Sequence, residues 1–194
     1  MSPAVLNQRL LEWGEKREKF GEEQGGFRPQ RATTDQAFIL SELVRARRRH
    51  GLETHVAFLD IRKAYDTVSR DALWRRILDF GVIGKMGRVI KNLYRAVESS
   101  VILGEDLTEW FEVGLGVRQG CTLSPLLFLI FVEGLSQELR KSDIGIDEGK
   151  IILNHLLFAD DLALCAASQE DLQRLLDIVY LYSGKWRFKF NIAV

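Results

Sequence analysis

Two apolar runs, "ILNHLLF" and "LALCA", are joined by "ADD", which sets Asp160 and Asp161 side by side at a tight turn. Neighbouring carboxylates repel, and two aspartates at a turn are most often plain solvated surface. A third aspartate changes that reading. Asp60 also stands at the end of an apolar run, "HVAFLDI". Two strands of one sheet that both end in carboxylates can bring those ends together. Three carboxylates at one spot are unfavourable unless cations sit among them. Hard oxygen ligands with open positions favour Mg²⁺ or Mn²⁺ over zinc. Two such ions ~4 Å apart would clamp the attacking and leaving oxygens of a phosphoryl transfer.

The elements that must position these residues alternate along the chain. Thr33 to His50 predicts a helix with Thr33 or Thr34 as N-cap and Ala37, Leu40, Leu43 and Val44 on one face. His55 to Ile61 predicts a buried strand. Ser69 to Phe80 predicts a helix with Leu73, Trp74, Ile77 and Leu78 inward and Gly81 past its end. Met86, Val89, Ile90, Leu93 and Val97 recur at helical spacing. A hairpin, "SSVILGEDLTEWFEV", and a glycine-rich turn, "GLGVRQG", lead to a helix opened by Ser124 as N-cap and Pro125. "IGIDEGKIIL" predicts another hairpin. Ser168 and Asp171 form a capping box for a helix closed by Gly184. Mixed strands and helices with several hairpins imply an α+β fold with an antiparallel sheet.

Composition narrows the class. At 194 residues and 46% apolar, the chain can bury one sizeable core. No apolar run approaches membrane-spanning length, and no signal-peptide core opens the chain. Cys121 and Cys165 lack metal-site or disulfide-framework spacing, which favours a reducing, intracellular setting. The zero net charge hides an asymmetry. Residues 1–95 hold 19 Lys and Arg against 12 Asp and Glu, a balance of +7, and residues 96–194 hold 8 against 15, a balance of −7. A solvated basic helix face around Arg45 to Arg49 explains this, and so does a basic half that meets phosphates beside an acidic half that holds cations. Charge alone leaves both open.

The stretches "AFLDIRKAYDTV" (Ala57 to Val68), "GVRQGCTLSPLLF" (Gly116 to Phe128) and "LLFADDLAL" (Leu156 to Leu164) resemble motifs A, B and C of reverse transcriptases, in the right order and spacing. "EEQGGFRPQRATTDQAF" (Glu22 to Phe38) resembles the fingers motif that precedes them. The wording is most similar to the LINE-type, non-LTR retrotransposon enzymes, and the likeness runs from about Leu10 to Ile192. Four ordered motifs are far more specific than any one of them.

The resemblance implies a right-hand polymerase palm, an antiparallel sheet backed by helices, with partial fingers and no thumb. Residues 1–54 and 85–117 would belong to the fingers. Residues 55–84, with motif A, and 118–194, with motifs B and C and an incomplete motif D, would belong to the palm. Asp60, Asp160 and Asp161 match the catalytic metal ligands for two Mg²⁺ or Mn²⁺ ions, and Ile61 would lend its backbone carbonyl. Tyr65 matches the aromatic residue beneath the incoming sugar, where a ring leaves no room for a 2′-hydroxyl. Its alternative is a core aromatic. Gln119 and Gly120 match the nucleotide-contacting pair of motif B, and Arg118 offers a phosphate contact. The alternative for this stretch is a helix-entry turn, and both can hold together. Arg28 and Arg31 resemble the fingers arginines that reach the triphosphate, and the alternative for either one is to brace the loop. Phe158 and Ala159 fill the places that face primer end or nucleotide, Phe158 with equal claim to the core. Asp66 reads as structural.

The implied partners are an RNA template, a DNA primer, deoxyribonucleoside triphosphates and the rest of a longer polyprotein, with no membrane. The implied setting is intracellular, and nuclear for a eukaryotic element. Motif D breaks off at "FNIAV", before the lysine the family carries there, so the sequence reads as a piece of a longer polypeptide. Two other classes compete with this reading. A non-catalytic binding module of the same fold would not need all three aspartates. An RNA-dependent RNA polymerase would favour a sugar-accepting residue in place of Tyr65.

Overall fold

The run "HVAFLD" is not the buried strand its apolar residues imply: successive side chains of a strand point to opposite sides, and only one side is covered along the whole strand. Ala57 and Leu59 pack into the main core, while Phe58 is 75% exposed and Asp60 is exposed beside it. The computed structural model describes residues 2–104, 106–147, 149 and 151–191. Helices α1 (Pro3–Lys16) and α2 (Thr33–Arg49) precede strand β1 (His55–Asp60). Helices α3 (Ala64–Thr67), α4 (Arg70–Phe80) and α5 (Gly84–Leu93) follow. Next come the short strands β2 (Glu98–Ser99), β3 (Ile102–Leu103), β4 (Asp106–Leu107) and β5 (Phe111–Glu112), then α6 (Ser124–Lys141). Strands β6 (Ile146–Asp147), β7 (Ile152–Leu153), β8 (His155–Phe158) and β9 (Asp161–Ala166) lead to α7 (Gln169–Trp186).

The central sheet is antiparallel in the order β1-β9-β8. Helix α6 supplies the middle of the core: Leu126 through Leu135 are buried almost without interruption, because α4 and α7 pack on it and α7 also covers β1 and β9. On the opposite face, α2 lies over β8 and seals only part of the sheet through Leu43, Leu40, Val56 and Cys165. The rest stays open as a groove of ≈ 740 Å³ between α2 and the sheet, with Asp60 and Asp161 among its lining residues. The α+β class and the helix-backed antiparallel sheet are as expected.

Several element ends are not. Ala32, not a threonine, caps α2, because Asp35 accepts the Ala32 N–H at 2.7 Å and closes the first turn. Ser124 lies inside α6 rather than capping it: its hydroxyl donates to the Arg118 carbonyl at 2.6 Å. Helix α5 stops at Leu93, and Val97 packs on the core from outside it. Helix α7 runs through Gly184 to Trp186. Leu78 is 55% exposed, since α4 buries Leu73, Ile77 and Phe80 against α6 and α1 instead. The two hairpins form as paired short strands, with Glu105, Glu148 and Lys150 outside the described residues.

At the start of β8, His155 is fully buried, and its ring state can be read from its neighbours. Asn154 Nδ2 donates to the Leu139 carbonyl at 2.7 Å, so Asn154 Oδ1 faces His155 Nδ1 at 2.6 Å and must accept from it. Nε2 then accepts from the Ser136 hydroxyl at 2.6 Å, and the ring is neutral. Burial pushes its pKa down to about 4 from 6.5. The unfolded chain therefore binds the proton first. The contribution of this ring to stability is full above pH 6.5, declines from there to pH 4 and levels off below. The loss is about 3 kcal/mol. Urea unfolding from pH 7.5 to 4 should show this slope, and His155→Gln should flatten it.

Candidate active site

The register of the sheet brings the three aspartates together. Asp60 pairs directly with Asp161 across β1 and β9, and Asp160 stands in the two-residue turn that joins β8 to β9. The Asp161 carboxyl is held above the usual aspartate range by burial first, then by the charges of Asp160 and Asp60. Among the described residues, none of the three forms an ion pair with Lys, Arg or His. One Asp60 oxygen accepts from Asn191 Nδ2 at 2.5 Å, and the Asp60 carbonyl accepts the Asn191 N–H at 2.8 Å. Ile61 continues the strand, its side chain buried and its backbone bridged to Phe190. Ile192 to Val194, where motif D would continue, lie outside the described residues.

No three His, Cys, Asp or Glu side chains among the described residues already converge as a cage for an ion. What converges is backbone: two facing strand ends and the turn between neighbours. An all-carboxylate set of uncompensated charge fits a hard divalent cation by its chemistry. Side-chain rotation and phosphate oxygens would have to complete the coordination.

Tyr65 lies beside this cluster. Its ring packs against buried Phe128, with centroids 5.3 Å apart, and meets the edge of Phe27 at 6.4 Å. Burial, then the charge of Asp160, raises its phenol to about 12, so it stays protonated. The Tyr65 carbonyl accepts the Val117 N–H at 2.8 Å and the Val68 carbonyl accepts the Gly116 N–H at 2.9 Å, which docks motif B onto the turn after motif A. From there Arg118, Gln119 and Gly120 stand exposed. Gln119 Nε2 donates to Asp66 Oδ1 at 2.6 Å, which gives Asp66 a structural task. Gly120 has φ 76 with open space where a Cβ would be, so glycine serves the backbone conformation there.

The two fingers arginines part company. Arg28 is buried and turned inward: Nε and Nη2 grip Glu15 at 2.8 and 2.9 Å, and Nη1 donates to the Gly21 and Gln24 carbonyls. In this arrangement Arg28 braces the loop. Helix α1, which carries Glu15, is not among the elements expected from the sequence. Arg31 is partly exposed and paired only with exposed Glu22. Phe158 is half-buried, lines the groove and ends β8, and Ala159 is buried at φ 59 in the turn. Gln24, Phe27 and Asn191 also meet these site residues. Only a side chain's long-range contacts reveal such roles.

A model of the family described as reverse transcriptase (RNA-dependent DNA polymerase) matches residues 3–193. The chain belongs to the reverse transcriptase family. It is 33% identical over 154 residues to the "Retrovirus-related Pol polyprotein from type-2 retrotransposable element R2DM" of Drosophila melanogaster, covering 79% of this chain and 14% of that protein. A type-1 R2 Pol polyprotein of Popillia japonica is 34% identical over 127 residues, covering 65% of this chain and 21% of the other. The chain thus spans a small part of these retrotransposon polyproteins, and the kinship is with the LINE-type branch. Among solved structures, an apo telomerase of Candida tropicalis superposes with a TM-score of 0.75 at 13% identity, over 98% of this chain and 36% of that one. A bacteriophage phi12 RNA-dependent RNA polymerase superposes at 0.52 and 15% identity, over 76% and 26%. These likenesses show the palm and partial fingers fold of template-directed polymerases. No helix among the described residues is long and apolar enough to cross a membrane.

Proposed function

We propose that this chain is the catalytic core of an RNA-directed DNA polymerase that extends a DNA primer on an RNA template, within a longer retrotransposon polyprotein. The observation that carries this is the pairing of Asp60 with Asp161, with Asp160 in the adjoining turn. The pairing of β1 with β9 likewise supports a palm made of residues 55–84 and 118–194, with 1–54 and 85–117 as fingers. Asp60, Asp160, Asp161 and the Ile61 carbonyl would hold two Mg²⁺ or Mn²⁺ ions. When bound, such ions favour the ionised primer 3′-hydroxyl and neutralise charge on the departing pyrophosphate. Tyr65 supports the incoming sugar and excludes a 2′-hydroxyl. Asp66 fixes the Gln119 amide beside the nucleotide, and the Gly120 backbone approaches it closely. Arg31, freed from Glu22, reaches the triphosphate, with Arg118 as a further phosphate contact. Ala159 and Phe158 face the primer end. Sequence information comes from template pairing, so the protein reads backbone and shape.

The test is primer extension by the full-length protein on an RNA template with Mg²⁺, deoxyribonucleotides against ribonucleotides. Extension with deoxyribonucleotides is expected. Extension with ribonucleotides alone would move the chain to an RNA polymerase, and none with either would leave a binding module.

A further inference from the structure

We propose that Gln24 is a positioning residue that clamps the turn presenting Asp160 and Asp161, an inference that rests on the polymerase reading for its catalytic consequence. Gln24 is 0% exposed and lies 135 positions from the turn it holds. Its Oε1 accepts the Ala159 N–H at 3.1 Å and the Gly26 N–H at 2.7 Å, and its Nε2 reaches the Ala159 carbonyl at 3.5 Å. One amide thus meets both backbone polar groups of Ala159, in the two peptide bonds that flank it.

The turn needs holding. It connects Phe158 to Asp161 through two residues, and Ala159, the first, has φ 59, a conformation that favours glycine. An alanine stays there only when its surroundings over-determine it. The surroundings do so here. On either side of Gln24, the Glu23 carbonyl accepts the Leu157 N–H and the Gly25 N–H donates to the Leu157 carbonyl, each at 2.8 Å, so the segment adds to β8 like a short strand. Gly26 passes so close that a Cβ there would lie 2.2 Å from the Ala159 nitrogen. Arg140 of α6 anchors the segment through Glu23 at 2.7 Å and is itself held by Glu133 of the same helix at 2.6 Å, and Glu133 also accepts the Gly21 N–H at 3.3 Å. The carboxylates at the tip repel one another, and without the clamp the alanine would leave its positive φ and carry Asp160 with it.

Gln24→Ala and the pair Gln24→Ala with Ala159→Gly test this in the full-length protein. The glycine adopts the turn without help, so it should replace the clamp. Hydrogen exchange resolved at single amides by mass spectrometry should show the Ala159 N–H exchanging roughly tenfold faster in Gln24→Ala, the equivalent of one buried hydrogen bond. Amides within β1 and β9 should be unchanged. Primer extension should fall about 10- to 100-fold in Gln24→Ala, as for groups that orient metal ligands, and the double variant should extend faster than Gln24→Ala alone. Unchanged exchange at Ala159 would overturn the clamp. So would exchange rising equally along β1 and β9, which would make Gln24 a general packing residue. If the unaltered protein extends no primer, the polymerase reading falls, and the exchange pattern alone decides for or against the clamp.

Discussion

Asp60→Asn or Asp160→Asn in the full-length protein is expected to cut primer extension about a thousandfold or more, with a melting temperature equal to or above that of the unaltered protein. An ion is worth several kcal/mol of transition-state stabilisation, and each ~1.4 kcal/mol is a factor of ten. Asparagine keeps the shape and one neutral oxygen but removes the charge that binds the cation. The fold should not suffer, because Asp60 is exposed at the sheet end and Asp160 stands in a turn. Asn191 can still pair with an amide oxygen at position 60. Repulsion within the cluster also falls: Asp161, raised by burial, Asp160 and Asp60, would move back toward the ordinary carboxylate range. Loss of activity with unchanged or higher stability is the signature of a residue kept for chemistry. Near-normal extension by either variant would remove the two-ion assignment.

The carboxylates were legible in the sequence because they stand at the ends of apolar runs, Asp60 after one and Asp160 with Asp161 between two others, and strand ends can meet. The face of the strand was not legible, because Val56 to Leu59 are all apolar while folding leaves Phe58 75% exposed. Helix ends were less legible, because serine, threonine and glycine mark a boundary only when their side chain or backbone is free to serve it. Ser124 spends its hydroxyl on the Arg118 carbonyl, and Gly184 continues a helix that Tyr182 and Trp186 hold on the core. Gln24 and Arg28 were illegible for another reason. Each satisfies backbone groups or a carboxylate brought near by folding, and a side chain that does so leaves no local period. "EEQGGFRP" resembles a motif, but only folding shows Gln24 turned to the turn at Ala159 and Asp160 and Arg28 turned to Glu15. A motif names the neighbourhood. Contact decides the task.

Tyr65→Ala in the full-length protein should relax sugar discrimination, raising ribonucleotide relative to deoxyribonucleotide incorporation by about 10- to 100-fold. Forcing extra atoms against a packed side chain costs about 1–3 kcal/mol, which spans that range of rates. The ring meets the condition for such a gate, since it cannot swing away. Phe128 backs it from the core, Phe27 flanks it, and its backbone is tied to Val117. Its hydroxyl adds little to exclusion, so Tyr65→Phe should keep the preference for deoxyribonucleotides. The same packing predicts a stability cost for Tyr65→Ala, because removing the ring uncovers Phe128. Discrimination is therefore measured as a ratio of single-nucleotide incorporation rates on one primer-template, which a uniform loss of folded protein leaves unchanged. If that ratio is the same in Tyr65→Ala as in the unaltered protein, the gate lies elsewhere and Tyr65 is a core aromatic that happens to border the carboxylates.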